Sequence, residues 1–198
     1  MKSMTKTFTV YRLDELPANV HTAVLNRERH INVDDSWWYQ PILEEWQTTL
    51  ADQGYEDAKI HFSGFWSQGD GACFEARINL GVWLRCRRLL RKYHTSARAC
   101  DQSEAELNIK HSGHYYHEYS VDRHISYTGN GAVDNELLDI EPLILEDTKV
   151  ISKNIYRALE REYEHQTSDE AVAETIRTNE SEFLADGRPV NVIDLIRQ

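Results

Sequence analysis

The apolar positions of this chain change period along its length. Leu16, Val20, Ala23 and Val24 fall on one helical face, and Pro17 suits the first turn. Trp38, Ile42, Trp46 and Leu50 recur at four-residue steps, which predicts a second helix burying two indoles. Asp34, Asp35 and Ser36 offer its N-cap, Pro41 sits in its first turn and Gly54 ends it. Then the period drops to two. Ile60, Phe62, Gly64 and Trp66 alternate with Lys59, His61, Ser63 and Phe65. Ala72, Phe74, Ala76, Ile78 and Leu80 alternate with Cys73, Glu75, Arg77 and Asn79. Two alternating runs around Ser67-Gln68-Gly69-Asp70-Gly71 predict an antiparallel hairpin with a tight turn, left-handed at Gly69 and Gly71.

Leu107 to Lys110 and Tyr115 to Tyr127 predict a second hairpin, turning near Ser112-Gly113 and closed by residues 128–131. Thr7 to Val10 reads as a short first strand. Ile151, Ile155, Leu159 and Tyr163 mark a long amphipathic helix. Thr167 and Glu170 form a capping box for a last helix, striped by Val172, Ile176 and Phe183 and stopped at Gly187. Val190 to Ile196 closes the chain as a short strand or helical turn. The expected class is α+β: an antiparallel sheet of two hairpins, flanked by N-terminal helices and two C-terminal amphipathic helices. It reads as one domain over residues 1–198, with helices and sheet to residue 135 and a helical pair over 136–187 packed on it.

Composition narrows the function classes. A length of 198 residues suits one domain, and 10% aromatic residues argue against disorder. The net charge of −11 opposes broad binding to nucleic acid or to an anionic membrane. Apolar runs are only a few residues long, so no membrane span is expected, and no apolar stretch follows Lys2 and Lys6 as in a signal peptide. Cys73, Cys86 and Cys100 contain no C-x-x-C pair, which excludes a zinc ribbon and a thioredoxin-like motif and points to the cytoplasm.

Charge is unevenly spread. Residues 81–100 hold Arg85, Arg87, Arg88, Arg91, Lys92 and Arg98 and no acidic residue. Residues 134–186 hold 15 Asp or Glu against five Lys or Arg. The basic segment would pair with the acidic helices, within one chain or across a homo-oligomer. Its arginines would otherwise grip phosphate or carboxylate. The acidic half serves solubility or imitates nucleic acid against a basic groove.

Two further segments carry candidate chemistry. Gly64 to Gly71 is not a phosphate loop, because Asp70 stands where that loop needs lysine. Ser67 lacks the G-x-S-x-G context, since Phe65 replaces the first glycine. Phe65 and Trp66, exposed beside the turn, would serve as interface anchors. In the second segment, His111, His114 and His117 would hold zinc only if a bend at Gly113 brought them together. Otherwise His114, His117 and Glu118 offer polar ligand contacts beside tyrosines packed on the sheet. Glu44-Glu45 and Glu160/Glu162/Glu164 read as solvated helix faces.

Taken together, the run from His61 to Phe74, the Ser112–Glu118 segment and the Leu159–Glu180 region resemble a family of small accessory proteins of tailed bacteriophages and prophages. Tyr11 to Leu16 and the Trp37-Trp38 pair fit the same resemblance. It implies a phage product acting in the bacterial host cytoplasm, and it brings no catalytic residues and no cofactor. The leading expectation is therefore a non-enzymatic protein that binds and inhibits or modulates a host factor, one of host defence. The expected contact surface is Phe65, Trp66, Ser67, Gln68 and Asp70 with the basic segment. An alternative is a sponge for a small nucleotide signal, gripped by Arg85, Arg87, Arg88, His114, His117 and the tyrosines, Tyr116 among them. A third is a metal-dependent hydrolase using His111, His114 and His117.

Overall fold

The computed structural model describes residues 7, 9–102, 105–127 and 131–190. Among them are six α-helices and one four-stranded sheet, an α+β fold. The helices are α1 (Ala18–Arg27), α2 (Gln40–Asp52), α3 (Leu80–Cys86), α4 (His94–Asp101), α5 (Gly131–Gln166) and α6 (Asp169–Thr178). The strands are β1 (Tyr55–Phe62), β2 (Ala72–Ile78), β3 (Ala105–His111) and β4 (Val121–Tyr127). No helix among the described residues is long and apolar enough to cross a membrane. The chain divides into two compact units, one of residues 1–38 and 161–198, the other of residues 39–160.

In the first unit, α1 and α6 share a core. Leu13, Leu16, Val24 and Leu25 pack with Val172, Ala173, Ile176 and Phe183. The cap of α6 lies one residue beyond the expected Thr167. Ser168 Oγ accepts from the Ala171 N–H at 3.2 Å, while the Thr167 hydroxyl donates back to the Tyr163 carbonyl at 2.8 Å. The helix ends at Thr178, not Gly187. Phe183 leaves the helical stripe and forms isolated bridges to Tyr11 and Pro189. That bridge to Tyr11 replaces the first strand expected over Thr7–Val10, whose described residues are not in strand conformation. Most of the segment Val190–Ile196 lies outside the described residues.

In the second unit, consecutive strands pair antiparallel in the order β1-β2-β3-β4. Alternation holds, since Phe74, Ala76 and Ile78 of β2 are buried with Leu107 and Ile109 of β3. Helix α5 buries Ile140, Ile144, Ile151, Ile155 and Leu159 at helical spacing, each such side chain contributing about 1.5–3 kcal/mol. Gly54 is left-handed at φ +91°, and a Cβ there would lie 2.7 Å from the Trp83 nitrogen, so only glycine fits.

Both hairpin connections are longer than the alternation predicts. Strand β1 stops at Phe62 and β2 starts at Ala72; β3 stops at His111 and β4 starts at Val121. Glycines let both chains leave the ladder early, and Gly64, Trp66 and Tyr115–Ser120 are loop, not strand. Helix α2 likewise starts at Gln40, because Asp35 accepts the Trp37 N–H at 2.9 Å in a local turn instead of capping the helix. Its two expected core indoles, Trp38 and Trp46, are only half-buried.

Candidate functional site

The loops 63–71 and 112–120 meet at one end of the sheet. Each is closed by its own hydrogen bonds. In the first, the Ser63 N–H donates to the Gly71 carbonyl at 3.1 Å and the Gly71 N–H to Ser63 Oγ at 3.2 Å. Asp70 Oδ2 accepts the Ser67 N–H at 2.6 Å. In the second, the Ser112 N–H donates to the Ser120 carbonyl at 2.9 Å, and the Ser120 N–H to the His117 carbonyl at 2.8 Å.

The loops are then locked to each other by missing side chains. A Cβ on Gly69 would sit 2.8 Å from Tyr115 Cδ1. One on Gly71 would sit 2.7 Å from the Tyr116 carbonyl oxygen and 3.1 Å from His117 Cα. Gly69 is left-handed, at φ +92°, as its turn requires; Gly71 is not, and is needed for close approach instead.

Beneath the second loop lies a ring cluster. His61 stacks on Tyr116 at 5.1 Å and 14°, and His111 packs 5.0 Å from the same ring. Glu75 Oε1 accepts the His111 N–H at 3.0 Å, while its other oxygen stays 3.8 Å from His61 Nε2, beyond a hydrogen bond. Cys73 is fully buried opposite His61. Burial first, then the Glu75 charge, pushes its thiol up to about 12, with the His117 N–H pulling the other way. Such a thiol is inert as a nucleophile near neutral pH.

Both loops expose aromatic side chains. Trp66 is 67% exposed, Tyr115 58% and Tyr119 70%. Trp66 holds a left-handed backbone, φ +73°. Tyr119 stacks on His117 at 5.1 Å, and Lys149 Nζ lies 5.4 Å from the Tyr119 ring. Between the loops is a cleft of about 480 Å³ lined by Gln68, Gly69, Tyr115, His117 and Ser120.

The sequence-derived site residues therefore separate. Gln68 and His117 line this cleft, and Trp66 is exposed on the same loop as Gln68. Phe65 does not: it is only 9% exposed, with its ring 5.5 Å from Tyr156, so it anchors the loop from below. Ser67 and Asp70 serve the turn. Tyr116 supports the loop from beneath through its stack on His61. His114 is exposed and edge-on to Tyr115 at 5.0 Å, and Glu118 lies 3.3 Å from His117 Nδ1. His111, His114 and His117 do not converge; among the described residues no three His, Cys, Asp or Glu side chains gather into a metal site. The tyrosines split, with Tyr116 on the sheet and Tyr115 and Tyr119 outward, because the loop is too long to keep strand alternation.

The arginines stand at the other end of the sheet. Arg87 donates to the Gln53 carbonyl at 3.4 Å, beside the start of β1, whereas the two loops follow its last residue, Phe62, and β3. An eight-residue strand spans about 25 Å, so one small nucleotide does not reach both the arginines and His114 or His117. Arg87 is also committed, forming an ion pair with Asp147 of α5. Lys92 approaches Asp139 of the same helix at 3.8 Å, so the basic segment meets acidic α5 at two points.

Residues 38–169 match a family described as a domain of unknown function, DUF8835. The chain belongs to the DUF8835 family. Neither a curated protein nor a solved structure matches it. The DUF8835 match runs through the whole sheet, both loops and all of α5. Sequence reasoning missed Tyr115, Tyr119 and the supporting pair His61 and Glu75. The signal available was the glycine content of both connections, which marks where one loop approaches another.

Proposed function

We propose that this chain is a non-enzymatic binding protein that captures a partner protein on the paired-loop surface of its sheet. The carrying observation is that Trp66, Tyr115 and Tyr119 stand exposed on two loops interlocked at Gly69 and Gly71. Exposed large aromatics on a rigid support are what interface anchors require, because their burial gains area at little cost in conformational entropy. The cleft between the loops is wide enough for one partner side chain, with Gln68, His117 and Ser120 as hydrogen-bonding groups at its wall. The motif resemblance supplies the setting: a phage accessory product that holds and inhibits a host factor, one of host defence.

Native mass spectrometry of tagged chain recovered from phage-infected cells tests this reading. The expected result is an added mass of tens of kilodaltons, from a host protein. Trp66→Gly, which suits the left-handed backbone, and Tyr115→Ala should each release that protein while leaving the chain folded. Recovery of bare folded chain, or a partner retained by both variants, overturns the reading.

A further inference from the structure

We infer that Arg85, in the last turn of α3, and Arg88 and Arg91, in the turn between α3 and α4, bind the phosphate chain of a small polyphosphorylated ligand. This site stands at the opposite end of the sheet from the paired loops and does not depend on their role. Of the six cations in residues 81–100, Arg87 and Lys92 are engaged. Lys92 Nζ also donates to the Tyr93 hydroxyl at 2.6 Å. The side chains of Arg85, Arg88 and Arg91 are exposed, and among the described residues no hydrogen bond or ion pair holds their guanidinium groups.

The turn that presents them is fixed. The Arg88 N–H donates to the Arg85 carbonyl at 3.1 Å, the Leu89 N–H to the Leu84 carbonyl at 2.8 Å and the Tyr93 N–H to the Leu89 carbonyl at 3.2 Å. Leu84 and Tyr93 are buried, and Arg87 is clamped to Asp147 between them. Arg88 itself is left-handed, φ +60°, in a conformation that glycine adopts without strain and arginine does not. A strained, unpaired arginine that a turn hydrogen bond holds beside Arg85, in a segment with no carboxylate, is poorly explained by stability and well explained by a bound anion.

The ligand class follows from what surrounds the turn. Guanidinium forks match phosphate oxygens bidentately. The chain as a whole is −11, so its long-range field repels an extended polyanion such as nucleic acid, while within about a Debye length of 8–10 Å the local arginines dominate. A short phosphate chain feels mainly the second. Trp83 and Tyr93, the two large aromatic rings of the segment, are both buried, and the ring left exposed there is the smaller imidazole of His94. Recognition is thus mainly of the phosphates.

Calorimetric titration of the full chain tests this with inorganic tripolyphosphate, ATP, adenosine and a single-stranded oligonucleotide. Tripolyphosphate and ATP should bind alike, more weakly as salt rises, and adenosine should not bind. Arg88→Gly should keep or raise the melting temperature while weakening tripolyphosphate binding by about tenfold. Arg85→Ala combined with Arg91→Ala should abolish it. No heat from tripolyphosphate, binding undiminished in both variants, or an oligonucleotide bound more tightly than tripolyphosphate would each overturn the inference.

Discussion

The phenol of Tyr55, the first residue of β1, donates to the Asp147 carboxylate of α5 at 2.6 Å. That oxygen is the hub of a small network. Trp83 Nε1 donates to it at 3.2 Å and to the Tyr55 hydroxyl at 3.0 Å, and Arg87 pairs with it while its guanidinium carbon lies 4.3 Å over the Trp83 ring. One carboxylate thus ties strand, short helix and long helix together. Asp147→Ala leaves the half-buried Arg87 guanidinium without its counter-ion and the Tyr55 phenol without its acceptor, and should cost about 2–4 kcal/mol in urea unfolding. A loss below about 0.5 kcal/mol would show that the network contributes little.

The same contact sets an alkaline limit. Burial first, then the Asp147 charge, raises the Tyr55 phenol above its ordinary value of 10.0. The unfolded chain therefore releases this proton near pH 10 while the folded chain keeps it, so stability present below pH 10 falls as pH rises past it. Tyr55→Phe should make the decline between pH 10 and 11 shallower, as followed by unfolding at each pH. An unchanged slope would assign the decline to other groups.

Thiol chemistry should distinguish the three cysteines. Cys86 is exposed, whereas burial pushes Cys73 up to about 12 and Cys100 up to about 11. Brief alkylation of folded protein at pH 8 should add one label, located at Cys86 by peptide mass spectrometry. Labelling of Cys73 at a comparable rate would mean that the 112–120 loop lifts off the sheet.

The loop lock predicts a contrast between two glycines. Gly71→Ala places a Cβ against the Tyr116 carbonyl and should lower stability by about 1–3 kcal/mol and weaken partner capture. Gly113 is left-handed with nothing within 4 Å of its Cβ position, so Gly113→Ala should cost only about 1 kcal/mol from backbone strain. Thermal unfolding and capture from lysate check both. Equal effects would remove the lock.

Helix α5 carries one internal liability. Ser152 is fully buried, and its hydroxyl has no hydrogen-bond partner among the described residues. Ser152→Ala removes an unsatisfied group and should stabilise the chain by about 1 kcal/mol. A loss of stability would show that the hydroxyl has a partner in solution.

Much of this architecture was legible in the residue pattern, because it depends on local periodicity. Alternation from Ile60 to Phe62 and from Ala72 to Ile78 marked the paired strands, and Ile151, Ile155 and Leu159 marked the buried face of α5. Both follow from side-chain direction along a strand or a helix. The ends of those elements were less legible. Ser168 and Thr167 are equally good caps by composition, and only the backbone geometry around them chose Ser168.

The surface was hidden for a different reason. In nine-residue connections, no period relates a residue's number to the side it faces. Phe65 and Trp66 are adjacent and both aromatic, yet Tyr156 of α5 draws one ring inward while a left-handed backbone turns the other out. Tyr115 and Tyr119 are exposed because the loop folds over His61 and His111, whose rings meet 6.0 Å apart from two strands that are not neighbours in the sheet. The arginines and histidines looked like one site on paper and stand a strand's length apart. Strand register and loop contact, which are long-range, decided that separation; sequence periodicity, which is local, carried the helices and strands themselves.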